Sequence, residues 1–522
     1  MTHVLGVDLG TTAVKAALFD GTGRAVAAAT EEYSLDTPSP LVVELEAEVY
    51  WQAFQRSLRR VLEASRIRPA SIRSIGISAQ GETLIALDRE GQPVRPAIVW
   101  MDNRAQEESE FLENHFGGST IHSVTGQVGM LPMWPAAKIL WLRRNEKRSF
   151  ERTAHFILVE DYLIYRLTGA LVAEGSLLCS TTYWNLNTRR YWREMLQALG
   201  IGEERLPQIR EPGEIIATLL PSAAAELGLS ADTVVTTGAL DQACGAIGVG
   251  NVRPGIFSEC TGSNVAVVAL VERPTIDPHR QLPCFYYGLP GTYMMHAFSM
   301  TGGMVLRWFR DAFCSAEISA ARAAGRDPYD ALTELAASIP PGAEGLMVLP
   351  HFQGAGPPES NPLARGVLYG LSLHHGKAHV IRAILESIAM IVHRMIDAMR
   401  AMGIEVNEIR SLGGGAKSSL WCQIKADLNE LPVFTMQNTE DAACFGAALL
   451  AGAATGVWPS VVEAAQALIR PARRYEPDPS TRDAYRGAYD LYTRVYQALE
   501  PVFAAPATAA RMRTSLHQEG VS

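Results

Sequence analysis

The sequence predicts an α/β protein built as two related domains that face each other across a cleft. Three observations carry this expectation. The first half alternates short apolar runs with segments of helical period, the pattern of sheets covered by helices. Near Gly250-Asn251-Val252-Arg253-Pro254-Gly255 the pattern restarts, and an apolar run, a Gly/hydroxyl turn and a second apolar run echo the opening of the chain. The length of 522 residues also exceeds one core, since single cores stop growing at roughly 250–300 residues. The expected division is 1–251 and 252–505, followed by a polar tail at 506–522.

The elements follow in order. Residues 3–7 read as a buried strand, the chain turns at Gly10-Thr11-Thr12, and 13–19 return as a second strand that carries Lys15. Val49, Phe54, Leu58, Val61 and Leu62 recur at helical spacing and predict a helix over 44–65. Residues 72–78 and 83–87 are expected strands, and the second runs into a turn at 88–91. Helices are expected at 136–144 and at 156–167, the latter stopped by Gly169. A short strand at 234–237 leads into a small-residue helix at 241–248. In the second half, 256–260 form a strand that ends in Thr261-Gly262-Ser263-Asn264, and 265–270 return from that turn. A strand at 408–411 precedes three glycines and a helix through Trp421 and Ile424.

Composition bounds the function. With 48% hydrophobic and 19% charged residues the chain is an ordinary soluble protein. A net charge of −9 and the lack of a Lys/Arg block exclude a nucleic-acid surface, though not a small phosphate pocket. The seven cysteines are scattered and form no Cys-x-x-Cys pair, so a reducing compartment is expected and not a disulfide framework or a zinc site. Met1-Thr2-His3 shows no basic region followed by an apolar stretch. The uncharged stretches 281–306 and 442–462 are interrupted by prolines and glycines and read as buried core, not membrane spans. A cytoplasmic protein is the expectation.

Three motifs carry chemistry. Asp8-Leu9-Gly10-Thr11-Thr12 is a strand-to-turn that aims backbone N–H groups and two hydroxyls at a phosphate, with Asp8 beside it for a metal. Gly238-Ala239-Leu240-Asp241-Gln242 sets an acid at the end of a strand where a helix opens; beside a ligand cleft it accepts a proton from a hydroxyl, and elsewhere such an Asp caps a helix. Leu412-Gly413-Gly414-Gly415-Ala416-Lys417-Ser418-Ser419 leaves bare backbone at a helix N-terminus, suited to a flat ligand or a phosphate. The chain has no Gly-x-Gly-x-x-Gly, no Walker loop and no Gly-x-Ser-x-Gly, which removes the main support for dinucleotide, P-loop and hydrolase chemistry. His374, His375 and His379 cluster without a carboxylate or Cys at metal spacing and read as surface or structural.

With these motifs in this order, the chain resembles the FGGY carbohydrate kinases of the actin/Hsp70/hexokinase superfamily over about residues 3–458. Met133-Trp134-Pro135-Ala136-Ala137-Lys138-Ile139-Leu140-Trp141-Leu142-Arg143-Arg144-Asn145 resembles the first family signature. Gly366-Val367-Leu368-Tyr369-Gly370-Leu371, His379-Val380 and Ala383-Ile384-Leu385-Glu386 resemble the second. The resemblance implies two ribonuclease H-like (actin-like ATPase) domains, with ATP and Mg²⁺ as partners of a small sugar or polyol. Asp241 would be the general base, and Asp8 with Asp241 would hold the metal. Gly10, Thr11, Thr12 and Lys15 would cradle phosphates, with Thr261, Gly262 and Ser263 closing from the second domain. Gly414, Gly415, Ala416 and Ser419 would take the adenosine side. Domain closure would exclude water. Dimers are common in the family, so a homodimer is the implied assembly.

The resemblance places the sugar at Gln80, Gly81, Glu82, Trp100, Asp102, Arg104, Asp241 and Gln242. The loop Ala79-Gln80-Gly81-Glu82-Thr83 lacks the Met-His pair typical of xylulokinases and the Arg typical of glycerol kinases. Met133 stands where glycerol kinases place a substrate-contacting Tyr. Gly81 reads as leaving room for four to six carbons. A ketopentose such as xylulose is the first expectation, a polyol such as erythritol or a pentitol the second, and another ketose or an aldonate the third. A chaperone, an actin-like filament or a sugar sensor shares the superfamily. The chaperone lacks room for a peptide-binding domain after residue 458, and neither it nor a filament accounts for the signatures. The presence of both Asp8 and Asp241 disfavours the sensor.

Overall fold

The structure, a computed structural model, describes residues 2–437 and 439–504; the expected tail at 506–522 lies outside them. Its frame is two seven-stranded sheets built the same way. In the first, His3–Leu9, Ala13–Asp20 and Ala25–Glu32 form an antiparallel meander, Ile72–Ala79 joins His3–Leu9 in parallel, and Val234–Thr236 joins Ile72–Ala79 in parallel. In the second, Gly255–Thr261, Val265–Val271 and Tyr293–Ser299 repeat the meander, and Val406–Leu412 and Val433–Met436 repeat the parallel extension. The echo legible in the two turns therefore extends to whole sheets. Each central strand is buried on both faces, which explains the continuous apolar runs Val4–Leu5 and Val265–Val271.

Helix Ala47–Ser65 packs on the first sheet; of the helical-period residues Phe54, Leu58 and Val61 are buried and Val49 and Leu62 partly so, and Tyr50 and Trp51 join the buried face. Two expectations shift. Glu44 belongs to the strand Val42–Leu45, and the helix opens at Ala47. Phe156, Ile157 and Leu158 belong to the strand His155–Leu158, which pairs with Leu84–Leu87 before the helix Val159–Thr168 begins. That three-residue apolar run fits either period, and pairing with another strand decides it.

The halves meet through helices Asp241–Gly248 and Ala442–Ala454, which cross between the sheets. The second of these comes from the C-terminal half yet lies on the first sheet. A Cβ on Gly6 would stand 1.9 Å from the Cys444 carbonyl oxygen, and one on Gly76 would stand 2.0 Å from that of Ala447. The small residues of 442–454 thus serve close backbone approach. Among the described residues no helix is long and apolar enough to cross a membrane. All seven cysteines are free thiols.

Candidate active site

Both parallel extensions deliver their last residues to one place. Asp8 is the penultimate residue of the first strand, opposite Lys15 and beside Ser78, whose Oγ donates to Asp8 Oδ1 at 2.7 Å. Asp241 opens its helix directly after the strand Ala239–Leu240, and its Oδ1 accepts the Gln242 N–H at 2.7 Å. Asp8, Asp241 and Gln242 line one cavity of about 250 Å³ with Gly413, Cys260 and Glu440 of the other half. Burial and the neighbouring Asp8 and Glu82 charges push Asp241 up to about 8, and burial raises Asp8 as well. Two carboxylates in one cavity suit a hard divalent cation and oppose an anion standing alone there.

The segment that carries Asp241 is held from below. The Gly238 N–H donates to Glu160 Oε1 at 2.6 Å, and the Leu240 N–H donates to Ser176 Oγ at 2.8 Å. Ser176 Oγ in turn donates to Glu174 Oε1 at 2.6 Å. A Cβ on Gly238 would stand 1.4 Å from the Ile77 carbonyl oxygen, so the strand closes onto its neighbour there.

A second cavity, of about 510 Å³, opens beside the first between Thr261-Gly262-Ser263 and Gly414-Gly415, with Tyr329 and Trp421 in its wall. Gly413 has φ +78°, the left-handed turn that lets the glycine run fold back under the strand Gly255–Thr261. Ala416 and Ser419 do not line this cavity, and Ser419 Oγ accepts from Arg473 Nη1 at 2.7 Å. Thr261 is 1% exposed. Its hydroxyl donates to Glu259 and accepts from Lys425 Nζ at 3.2 Å, so Thr261 offers the cavity backbone and not its Oγ.

The first loop is also held from within. Tyr33 Oη donates to the Gly10 carbonyl at 2.5 Å, as does Gln80 Nε2 at 3.2 Å. Trp100 Nε1 donates to Thr11 Oγ1 at 2.8 Å. Thr12 stands at the turn, where its carbonyl accepts the Tyr33 N–H at 2.9 Å. Lys15, expected on phosphate, is held by the Asp441 carboxylate and by the Glu440 carbonyl at 2.7 Å.

Of the expected sugar residues, Glu82 lies close enough for its charge to raise Asp241, while Gln80 and Trp100 spend polar atoms on the first loop at Gly10 and Thr11. Asp102 and Arg104 spend their polar atoms on each other, on the Val43 N–H and on Glu44. The space beside Gly81 is bounded, since a Cβ there would lie 3.1 Å from both Leu240 Cδ1 and Ser180 Oγ. Lys138, present in the sequence as one letter of a motif, is fully buried behind these loops. Its signal was a Lys inside the apolar run Ala136-Ala137-Lys138-Ile139-Leu140.

The histidine cluster has a carboxylate after all. Glu344, 30 residues upstream, brings its Oε2 to His374 and His379. His379 Nδ1 accepts the Gly376 N–H at 3.1 Å, which leaves the proton on Nε2, directed at Glu344. The trio is a hydrogen-bonded surface cluster.

Residues 3–248 match the N-terminal domain, and 266–455 the C-terminal domain, of the FGGY family of carbohydrate kinases. A xylulose kinase of Bacillus subtilis is 29% identical over 95% of this chain and 97% of its own. A gluconokinase of the same organism is 30% identical over 96% of each. The crystal structure of a ligand-bound xylulose kinase from Lactobacillus acidophilus superposes with a TM-score of 0.88 at 28% identity, covering 97% of this chain and 99% of that one. The chain has the two-domain actin-like ATPase fold and belongs to the FGGY family of carbohydrate kinases.

Proposed function

We propose that this sugar kinase transfers the γ-phosphoryl group of ATP to a hydroxyl of a ketopentose such as xylulose, acting in the cytoplasm. The observation that carries the reading is the shared cavity of Asp8 and Asp241, with the glycine-lined cavity beside it. Asp241 Oδ1 is occupied by the Gln242 N–H, and Oδ2 accepts the proton of the sugar hydroxyl. A base pushed up to about 8 is matched to that task once ionised. Asp8, oriented by Ser78, would hold Mg²⁺ with Asp241. When bound, magnesium supplies positive charge against the phosphate oxygens. The chain then contributes position: the two loops fix the phosphates, and the sugar loops bring the hydroxyl in line.

Charge favours a neutral sugar over an aldonate. The cations on and behind the sugar loops are already engaged. Lys15 is held by Asp441, Arg104 by Asp102 and Glu44, and Lys138 by two carbonyls. What remains is acidic, with Glu82, Asp8 and Asp241, and these residues offer a carboxylate substrate no counter-charge.

The test is a coupled ADP-release assay with Mg-ATP against ketopentoses, tetritols, pentitols, glycerol and gluconate. D-xylulose is expected to reach a kcat/KM of about 10⁴ M⁻¹s⁻¹ or more, with gluconate far below. Asp241→Ala is expected to remove about 10³-fold or more of kcat and leave ATP binding near the parent value. Gluconate as the preferred substrate would overturn the charge argument, and retained turnover in the variant would remove Asp241 from the base role.

A further inference from the structure

Lys138 sits on helix Pro135–Asn145 with no exposed surface. Its ammonium donates to the Glu82 carbonyl at 2.9 Å and to the Val99 carbonyl at 3.0 Å. These carbonyls belong to different loops, 80–83 and 99–104, the two assigned to the sugar. Glu82 has φ +59°, a conformation that a non-glycine residue holds only when its surroundings impose it. Val99 directly precedes Trp100, and its carbonyl also accepts the Asp102 N–H at 3.0 Å. A second link joins the loops, from the Trp100 N–H to Thr83 Oγ1 at 3.2 Å. From Trp100 the connection reaches the first phosphate loop, through Nε1 to Thr11 Oγ1 at 2.8 Å.

We propose that Lys138 is a positioning residue for the acceptor sugar, a brace that fixes the Glu82 loop against the Trp100 loop and, through Trp100, against the phosphate loop at Thr11. It touches neither sugar nor nucleotide. The inference rests on the sugar-site reading given above. An ammonium suits the task because its three tetrahedral donors reach carbonyls on separate loops. Methionine fills the same volume but leaves two buried carbonyls without a donor and the Glu82 carboxylate without a nearby cation. The planar guanidinium of arginine does not reproduce that geometry in a closed space. A lysine that merely stabilised the fold would weaken both substrates alike. A brace between sugar loops, tied to the phosphate loop only through Trp100 and Thr11, weakens the sugar more than the nucleotide, whose larger cavity lies on the other half.

The experiment is steady-state kinetics of full-length Lys138→Met and Lys138→Gln with D-xylulose, or whichever sugar of the panel is the best substrate, and Mg-ATP. Sugar phosphate and ADP are measured separately. Lys138→Met is expected to raise the sugar KM about tenfold or more, as misplacement by a fraction of an ångström does. The ATP KM should rise clearly less than the sugar KM, and more ADP should form per sugar phosphate. Lys138→Gln keeps an amide donor and is expected to fall between Met and the parent. It is also the deciding variant should Lys138→Met fail to fold. Equal rises in both KM values, or an unchanged sugar KM in a folded variant, would overturn the proposal. Glu82→Ala separates the two levels. If it leaves the sugar KM unmoved, the sugar-site reading fails; if it raises the sugar KM while Lys138 variants are silent, only the brace fails.

Discussion

Gly446 lies against the backbone of Cys244, where a Cβ would stand 1.9 Å from the carbonyl oxygen. The contact is reciprocated one turn away, since a Cβ on Gly248 would stand 1.9 Å from the Ala442 carbonyl oxygen. The two crossing helices, one from each half of the sequence, touch backbone to backbone at these points. No side chain stands between them to move aside.

Gly446→Ala is therefore expected to destabilise strongly, although alanine is the better helix former. Overpacking at a backbone contact costs about 1–3 kcal/mol or more, and the melting temperature should fall by roughly 5 °C or more. Gly487→Ala is the control. Gly487 sits within helix Arg482–Ala504 with nothing within 4 Å of an added Cβ. It should stabilise by about 0.5–1 kcal/mol. Differential scanning fluorimetry of both variants decides the matter, and a stable Gly446→Ala would mean the helices do not meet as described.

Stability should fall as pH rises. Glu160 is completely buried; Oε1 accepts the Gly238 N–H, and Oε2 has no partner among the described residues. Burial, with the Glu174 and Asp161 charges beside it, raises Glu160 well above the usual carboxylate range, and burial raises Glu174 to about 7. A carboxyl raised in the folded state binds a proton that the unfolded chain has released. Its stabilisation is complete below about pH 4.5 and is lost as pH climbs through about 7 and beyond. Glu160→Gln keeps the acceptor for Gly238 and removes the titration. Melting temperatures at pH 5, 6.5 and 8 should decline less steeply in the variant, with its gain greatest at pH 8. Parallel curves would show that Glu160 is as ionised in the folded protein as in the unfolded chain, and so is not raised.

Much of this architecture was legible because it depends on local pattern. Strand, Gly/hydroxyl turn and strand at residue 3 and again at residue 256 gave two equivalent sheets, and Gly413-Gly414-Gly415 gave the turn under the second cavity. What stayed hidden depends on partners far apart in the chain. Lys15 looks like a phosphate lysine in its motif, but its carboxylate partner Asp441 lies more than 400 residues away. Thr261 looks like a ligand hydroxyl until Lys425 and Glu259 are found beneath it. Asp102 and Arg104 read as sugar contacts, whereas Glu44 reaches Arg104 from the strand Val42–Leu45 and ties them down. The strand at 155–158 was masked by an apolar run with no period of its own.

Ser419 and Lys425 offer opposite expectations on one helix, Ser419–Asn429. Ser419 Oγ is engaged by Arg473 and Tyr475 and lies off the cavity lined by Thr261 and Gly414. Ser419→Ala should leave the ATP KM within about twofold.

Lys425 and Glu259 form a fully buried ion pair at 2.6 Å, and Ser411 Oγ donates to the same carboxylate at 2.6 Å. Removing one partner strands a charge in the core. Lys425→Met should lower stability by about 3–5 kcal/mol. Replacing both, as Lys425→Met with Glu259→Met, leaves no charge to strand and should recover most of that loss. Position is a separate matter. The pair fixes the Thr261 hydroxyl, and with it the backbone of the loop that faces the glycine turn. The double variant should therefore melt near the parent yet show an ATP KM raised by about five- to tenfold, of the order that loss of one or two well-placed hydrogen bonds produces. Isothermal titration with ADP on the two variants and the parent separates stability from loop position. A double variant with parental affinity would show that the ion pair holds the fold and not the position of the Thr261 loop.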